Sequence, residues 1–323
     1  VQLDRMSSYL VTGGSGAFGQ AFVRRLLESD AKRVLVLSRS ESKQAEMRAA
    51  LPDERIRYLI GDVRDLARMM DACRGVDTVV HAAALKRIET CETDPIEAVQ
   101  TNVIGTANVA RACIERGVRK AVLLSTDKAA SPNTLYGATK MTAERLWLDS
   151  NVYAGSLATR FAATRYGNVL GSTGSVVPVW KAQAARGEPL TVTDPGMTRF
   201  WMRIDDAIDL VLMALREMRG GEVFIPKIGS SSIRELARTI DPRGGLRILG
   251  HRAYEKVHET LISADESRHA YDCGDHYRIE PECRSWGEVP PLDFPHVGPG
   301  FSYRSDTNEM RLSVDRLREM IAA

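Results

Sequence analysis

The stretch "TGGSGAFG", Thr12 to Gly19, limits the fold more than any other part of the chain. It follows the β-branched run "YLV" and opens "FGQAFVRRLLES", whose apolar residues recur at helical spacing. Gly13, Gly16 and Gly19 suit a tight turn, a close approach of backbone to a pyrophosphate, and close packing of helix on strand. Ser15, Ala17 and Phe18 fill the same turn. The runs "RVLVLSR", "IRYLIGDV", "DTVVHAAA" and "KAVLLSTD" read as further buried strands with helical segments between them, and a sixth lies within "LATRFAATRYGNV". Such a βαβ series predicts a Rossmann-type, doubly wound parallel sheet of the α/β class. A purely structural glycine turn is the alternative, and it leaves the features below unexplained.

The strict alternation ends near Gly171. Residues 1–171 are therefore expected to form a nucleotide-binding domain, and 172–323 a smaller α+β substrate domain with some segments returning to the first. Helices are predicted at 176–186, 205–218 and 232–240, and "SVDRLREMIA" closes the chain as a helix capped by Ser313. The Pro- and Gly-rich run from Trp286 to Gly300 is expected to be irregular.

A net charge of +2 with both signs interspersed gives no footprint for nucleic acid or a membrane surface. No apolar run nears the roughly 20 residues of a bilayer span, and "VQLDRMSSYLVTGG" lacks the shape of a signal peptide, so a cytoplasmic location is expected. The five cysteines are odd in number and widely spaced, against a disulfide framework. His269, Cys273, His276 and Cys283 would be soft ligands, but without any C-x-x-C the spacing matches no standard finger, and no metal is expected.

The second strand ends in "LSRSESK" rather than in the acidic residue that would bind the 2′-hydroxyl of NAD. Ser38, Arg39 and Lys43 suit the extra phosphate of NADP instead; solvated surface charge is the alternative reading. Asp62 is placed for an adenine amino group, the small Ala82, Ala83 and Ala84 would admit the cofactor, and Lys86 would face the catalytic side. In "STDKAASPNTLYGATK" a hydroxyl, a carboxylate, two amines and a phenol crowd together: Thr126, Asp127, Lys128, Tyr136 and Lys140. They suit redox and proton chemistry, or else a polar loop entering a helix with an i,i+4 pair.

With "HAAALKRI", "TNVIGT", "STDKAA", "LYGATK", "RYGNVLGS", "GSVVP", "MTRFW" and "EVFIPKI" in order over nearly its whole length, the chain resembles the extended short-chain dehydrogenase/reductases. In particular it resembles the C5-inverting UDP-N-acetylglucosamine 4,6-dehydratases of polysaccharide biosynthesis. The resemblance implies NADP, a UDP-sugar substrate and a homo-oligomer, dimer or higher. It implies that Tyr136, its phenolate favoured by Lys140 and the nicotinamide charge, takes the 4-hydroxyl proton while Thr126 holds that hydroxyl. Asp127 would protonate the departing C6 hydroxyl and Lys128 would take the C5 proton.

As a base, Lys128 would need a lowered pKa, from burial or from cations such as Lys86 and Lys140. The resemblance adds Val63, Asn102 and Val169 to the cofactor site. To the substrate it assigns Lys86, Asn168, Val177, Pro178, Thr193, Thr198, Arg199, Arg252 at the diphosphate and Glu255 at the ribose. One departure stands out: relatives generally carry Arg where this chain has Thr173, which cannot neutralise phosphate charge. The competing expectations are a C5-retaining dehydratase or C4 epimerase on a related nucleotide sugar, and a non-catalytic NADP-binding protein.

Overall fold

In the computed structural model, residues 7–171, 176–250, 254–287 and 290–322 are described. The first half builds β1 (Ser8–Thr12), α1 (Ala17–Leu27), β2 (Arg33–Ser38), α2 (Glu41–Ala50), β3 (Ile56–Ile60), α3 (Leu66–Ala72) and β4 (Thr78–His81). It continues through α4 (Ile88–Thr93), α5 (Pro95–Val99), α6 (Gly105–Arg116), β5 (Lys120–Leu124), α7 (Leu135–Ala154) and β6 (Arg160–Thr164). The second half comprises β7 (Asn168–Val169), α8 (Val176–Ala185), β8 (Leu190–Val192), β9 (Thr198–Met202), α9 (Ile204–Glu217), β10 (Val223–Pro226), β11 (Ser230–Ser232) and α10 (Ile233–Ile240). Then come β12 (Leu246–Ile248), β13 (Thr260–Ile262), β14 (Ala270–Asp272), β15 (His276–Ile279), β16 (Tyr303–Arg304) and α11 (Val314–Ala322).

Nine strands form one sheet in the order β14-β15-β10-β6-β5-β4-β1-β2-β3. Its strands from β3 to β10 run parallel, and β15 and β14 add an antiparallel edge. Because Thr12 lies opposite both Leu37 and His81, and Leu124 opposite Thr164, the carboxyl ends of these strands share one edge. The strand order reverses between β1 and β4, and a crevice at such a reversal is where open parallel sheets bind ligands. One face packs under α3, α6 and α7 through Met69, Val109 and Trp147, the other under α1 and α9 through Phe22 and Val211. A separate cluster of Val177, Trp180, Trp201, Leu236 and Leu317 holds the smaller lobe together.

Within "LATRFAATRYGNV" the sixth strand is β6, and the stretch runs on into β7, which leaves the large sheet to pair with β9. The chain departs at Arg165 and Tyr166, where the Tyr166 carbonyl accepts the Asp127 N–H at 3.1 Å, so the break itself braces the catalytic turn. From the second half, β10, β14 and β15 complete the large sheet. The helices over 176–186, 205–218 and 232–240 form within a residue of expectation, and the Ser313 hydroxyl accepts the Arg316 N–H at 3.2 Å ahead of α11.

Candidate active site

The turn after β1 is shaped for a group that needs bare backbone. Gly13 has φ +67°, and a Cβ there would lie 2.8 Å from the Ala83 nitrogen, so only glycine fits beside the alanines that follow β4. Gly16 precedes α1 with no side chain capping its first-turn amides, which leaves them free for an anion. Ser15 donates to Ser38 at 2.9 Å, joining the turn to the end of β2. Arg39 and Lys43 are exposed there. Arg39 lies 3.7 Å from Asp62, whose carboxylate is already engaged by Arg64 at 2.7 Å. These residues fit a dinucleotide.

Two members of the expected cofactor set have other work. The buried Asn102 carboxamide accepts from the Leu85 N–H at 2.8 Å and donates to the Leu85 carbonyl at 2.9 Å and to Thr139 at 3.1 Å, so it braces the loop after β4. Val63 is buried against α6. Lys86 is exposed.

The catalytic stretch occupies the carboxyl end of β5 and the start of α7. Thr134 caps α7 by accepting the Gly137 N–H at 2.9 Å. A Cβ on Gly137 would lie 2.5 Å from the Lys128 carbonyl oxygen, so glycine here lets the helix start abut the turn that carries Asp127 and Lys128. Asp127 is 1 % exposed. Its Oδ1 accepts from the Thr126 hydroxyl at 2.8 Å and from Lys128 Nζ at 2.9 Å, while Oδ2 is buried without a hydrogen-bond partner among the described residues. Burial raises the Asp127 pKa against the pull of Lys128. One oxygen of the Asp127 carboxyl is thus left without a partner, in surroundings that favour its protonation.

Tyr136 is buried beside Cys91 and Ala98. The expectation of a phenol lowered by Lys140 is not met in the chain alone. Burial pushes the phenol up to about 12, and Lys128 is the cation that opposes it. Lys140 donates to the Leu124 carbonyl at 2.7 Å, and burial brings its pKa down to about 8.

Lys128 goes the other way, which corrects the lowered pKa expected of it. Burial disfavours its charge, but Asp127 and Glu259 together outweigh burial, and the ammonium's pKa is raised. Neither Lys86 nor Lys140 opposes this; the opposing cation is Arg199. Glu259, which sequence reasoning missed, puts Oε1 3.2 Å from Lys128 Nζ. Lys256, also missed, donates to the Ala130 carbonyl at 2.9 Å.

A cleft of about 420 Å³ opens in the smaller lobe. Asn168, Val169, Val177, Thr193, Arg199 and Glu255 line it, with Trp180, Trp201 and Leu249 adding apolar wall. Thr198 is not among the lining residues: its hydroxyl is buried against His258 Nδ1 at 2.8 Å and Ser305 at 2.7 Å. Arg199 reaches the cleft, but its N–H groups go to the carbonyls of Thr198, Val257 and Lys256, so its guanidinium has less to offer a phosphate than expected. Pro178 is exposed, and Arg252 and Thr173 lie outside the described residues.

Among the described residues no three His, Cys, Asp or Glu side chains converge on a metal position. The five cysteines are unpaired, and no described helix is long and apolar enough to cross a membrane.

Comparison with known proteins agrees with this geometry. The family model described as "Polysaccharide biosynthesis protein" matches residues 9–281. The chain is 43% identical to a UDP-N-acetylglucosamine 4,6-dehydratase (inverting) of Campylobacter jejuni, over 97% of this chain and 96% of that protein. It is 42% identical to a UDP-glucose 4-epimerase of Rickettsia canadensis, over 85% and 83%. The solved structure of Pen from Bacillus thuringiensis superposes with TM-score 0.92 at 36% identity, covering 98% of each chain. DesIV, a dTDP-glucose 4,6-dehydratase from Streptomyces venezuelae solved with NAD and TYD bound, superposes with TM-score 0.70 at 26% identity, covering 77% of this chain and 86% of that one.

Proposed function

The chain belongs to the polysaccharide-biosynthesis protein family, and we propose that it is a nucleotide-sugar 4,6-dehydratase that inverts C5, acting on UDP-N-acetylglucosamine with NADP. The observation that carries this reading is the Asp127–Lys128 pair, 2.9 Å apart, its carboxylate buried, on the turn that abuts the start of α7 beside Tyr136. Relatedness to the Campylobacter dehydratase supports the substrate. Exposed Arg39 and Lys43 at the end of β2, with no carboxylate in the strand-end position, support NADP over NAD.

The bound nicotinamide supplies the acceptor for the C4 hydride and its donor to C6. Tyr136 holds the 4-hydroxyl proton, Thr126 orients that hydroxyl, and Lys128 and Lys140 are the cations available to a developing phenolate. Ketone formation at C4 acidifies the C5 proton.

The Asp127–Lys128 pair then needs no external proton. Transfer of one proton across the 2.9 Å contact turns carboxylate and ammonium into carboxylic acid and amine. Lys128 Nζ takes the C5 proton and Asp127 gives its proton to O6. The C6–O6 bond breaks, water leaves, a C5–C6 double bond forms, and the pair returns to carboxylate and ammonium. Asn168, Val177, Thr193 and Glu255 are the chain's means of holding the nucleotide sugar.

The relatedness to a 4-epimerase supports a second reading, C4 epimerisation, which would use Tyr136 and Lys140 alone. Proton NMR of the product in deuterium oxide separates the two. A C6 methyl with deuterium at an inverted C5 is expected; a product lacking the methyl is an epimer, and a methyl with retained C5 geometry removes the inversion. We further propose that the protein works in the cytoplasm as a homo-oligomer, dimer or higher, which sedimentation of the purified protein tests.

A further inference from the structure

Glu259 lies 132 residues beyond Asp127 in the chain, yet its carboxylate completes the proton-bearing cluster. Its side chain is 3 % exposed, with Oε1 3.2 Å from Lys128 Nζ and 3.6 Å from Arg199 Nε. Oε2 is buried without a hydrogen-bond partner among the described residues. The backbone around it is pinned: Ser305 accepts the Glu259 N–H on its hydroxyl at 2.9 Å and returns its own N–H to the Glu259 carbonyl at 2.9 Å. Ser305 is held in turn by Thr198, and Lys256 fastens the same segment to Ala130. A buried carboxylate is costly unless its placement is fixed and it is paired, and here both conditions are met.

We propose that Glu259 is the positioning residue of the Asp127–Lys128 pair, holding the Lys128 ammonium in line with Asp127 and setting the pH window in which the pair carries its one working proton. This rests on the dehydratase reading above. Below the window both groups are protonated and no base is present; above it both are deprotonated and no acid is present. The charged and titratable groups facing the pair are Tyr136 from α7, Arg199 from β9, and Lys256 and Glu259 from the segment before β13. Of these only Glu259 adds a carboxylate. Its negative charge raises the proton affinity of Lys128 and of Asp127 alike, so it lifts both edges of the window.

The test is the pH profile of kcat for dehydration of UDP-N-acetylglucosamine by the full chain. Glu259→Gln is expected to move both limbs to lower pH, the basic limb by about one unit and the acidic limb by less. KM is expected to stay within about twofold, because Glu259 does not line the cleft. Glu259→Asp keeps the charge but draws it back, and is expected to move the limbs in the same direction by a smaller amount. Limbs that stay in place in both variants, or an Asp variant that matches the Gln variant, overturn the proposal. If Glu259→Gln does not fold, the Asp variant alone decides, a downward shift supporting and no shift overturning. A wild-type enzyme that makes no 6-deoxy product sinks the dehydratase reading instead, so the two failures are distinguishable.

Discussion

Lys128 and Lys140 belong to one catalytic stretch, the first partly and the second fully buried, and their environments drive them in opposite directions. Lys140 has a backbone carbonyl for its partner, and burial brings it down to about 8. The carboxylate that counteracts this, Glu144, is itself neutralised by Arg165. Lys128 has two carboxylates within 3.2 Å, and they outweigh its burial. Burial therefore does not decide whether an amine is an acid or a base; the balance of carboxylates around it does. The pair also differs in origin. Lys140 is set by β5 and α7, neighbours in sequence, whereas Lys128 depends on a segment from the second half.

The largest effect separates the two amines outright. Lys128→Ala is expected to lower turnover by roughly 10²–10⁴-fold and to slow deuterium entry at C5 in step. Dehydration at the normal rate by this variant would end the assignment of Lys128 as base. Lys140→Met is expected to cost turnover as well, by roughly 10²-fold, since Tyr136 loses a cation, but it also carries a stability signature that Lys128 lacks. The folded pKa of Lys140, about 8, lies below an unfolded value of about 10.4, so between these the unfolded chain binds more protons. Wild-type stability should then rise with pH relative to Lys140→Met, by at most about 1.4 kcal/mol per unit across that window, and the difference should be flat below pH ~8. Urea unfolding of both proteins at several pH values from 7 to 10 measures this. An unchanged difference across the window would mean that Lys140 is not held down.

Gly137→Ala tests whether the two amines share one frame. The added methyl would meet the Lys128 carbonyl at 2.5 Å, forcing α7 and the catalytic turn apart at a cost of about 1–3 kcal/mol. A fall in melting temperature with roughly tenfold lower kcat is expected, and loss of neither would show that the contact is slack.

How much of this could be read from the sequence follows the same division. The strands of the first half, the glycine turn and the start of α7 announce themselves through local periodicity and capping residues, and the structure has them close to where "TGGSGAFG" and "LYGATK" put them. Parallel sheet topology fixes which strand ends meet, so Thr126, Asp127, Lys128, Tyr136 and Lys140 could be gathered without coordinates. Glu259 could not. In "YEKVHETLI" it is one charged residue among several, and it reaches Lys128 only because β13 pairs with β16 and Ser305 pins its backbone. Such a register between short strands far apart in sequence leaves no periodic trace. Thr198 lies off the cleft for a related reason: the motif marks the position, but whether a side chain faces the cleft or the lobe interior depends on partners such as His258 and Ser305.

The smallest effect sharpens the comparison most, because its sign is opposite to that of Glu259→Gln. Lys256 is half-buried and sits among the charges that act on Asp127, Lys128 and Glu259. Its positive charge opposes protonation of both members of the pair, so Lys256→Met should move both limbs of the pH profile upward, by roughly a few tenths of a unit. The variant also loses the donor to the Ala130 carbonyl, for which a stability cost of about 1 kcal/mol is expected. A merely structural role for Lys256 would give the stability loss without the upward shift. If instead Lys256→Met and Glu259→Gln moved the profile in the same direction, the limbs would be reporting disturbance of the turn rather than charge, and the account of Lys128 as an amine governed by its carboxylates would fall with them.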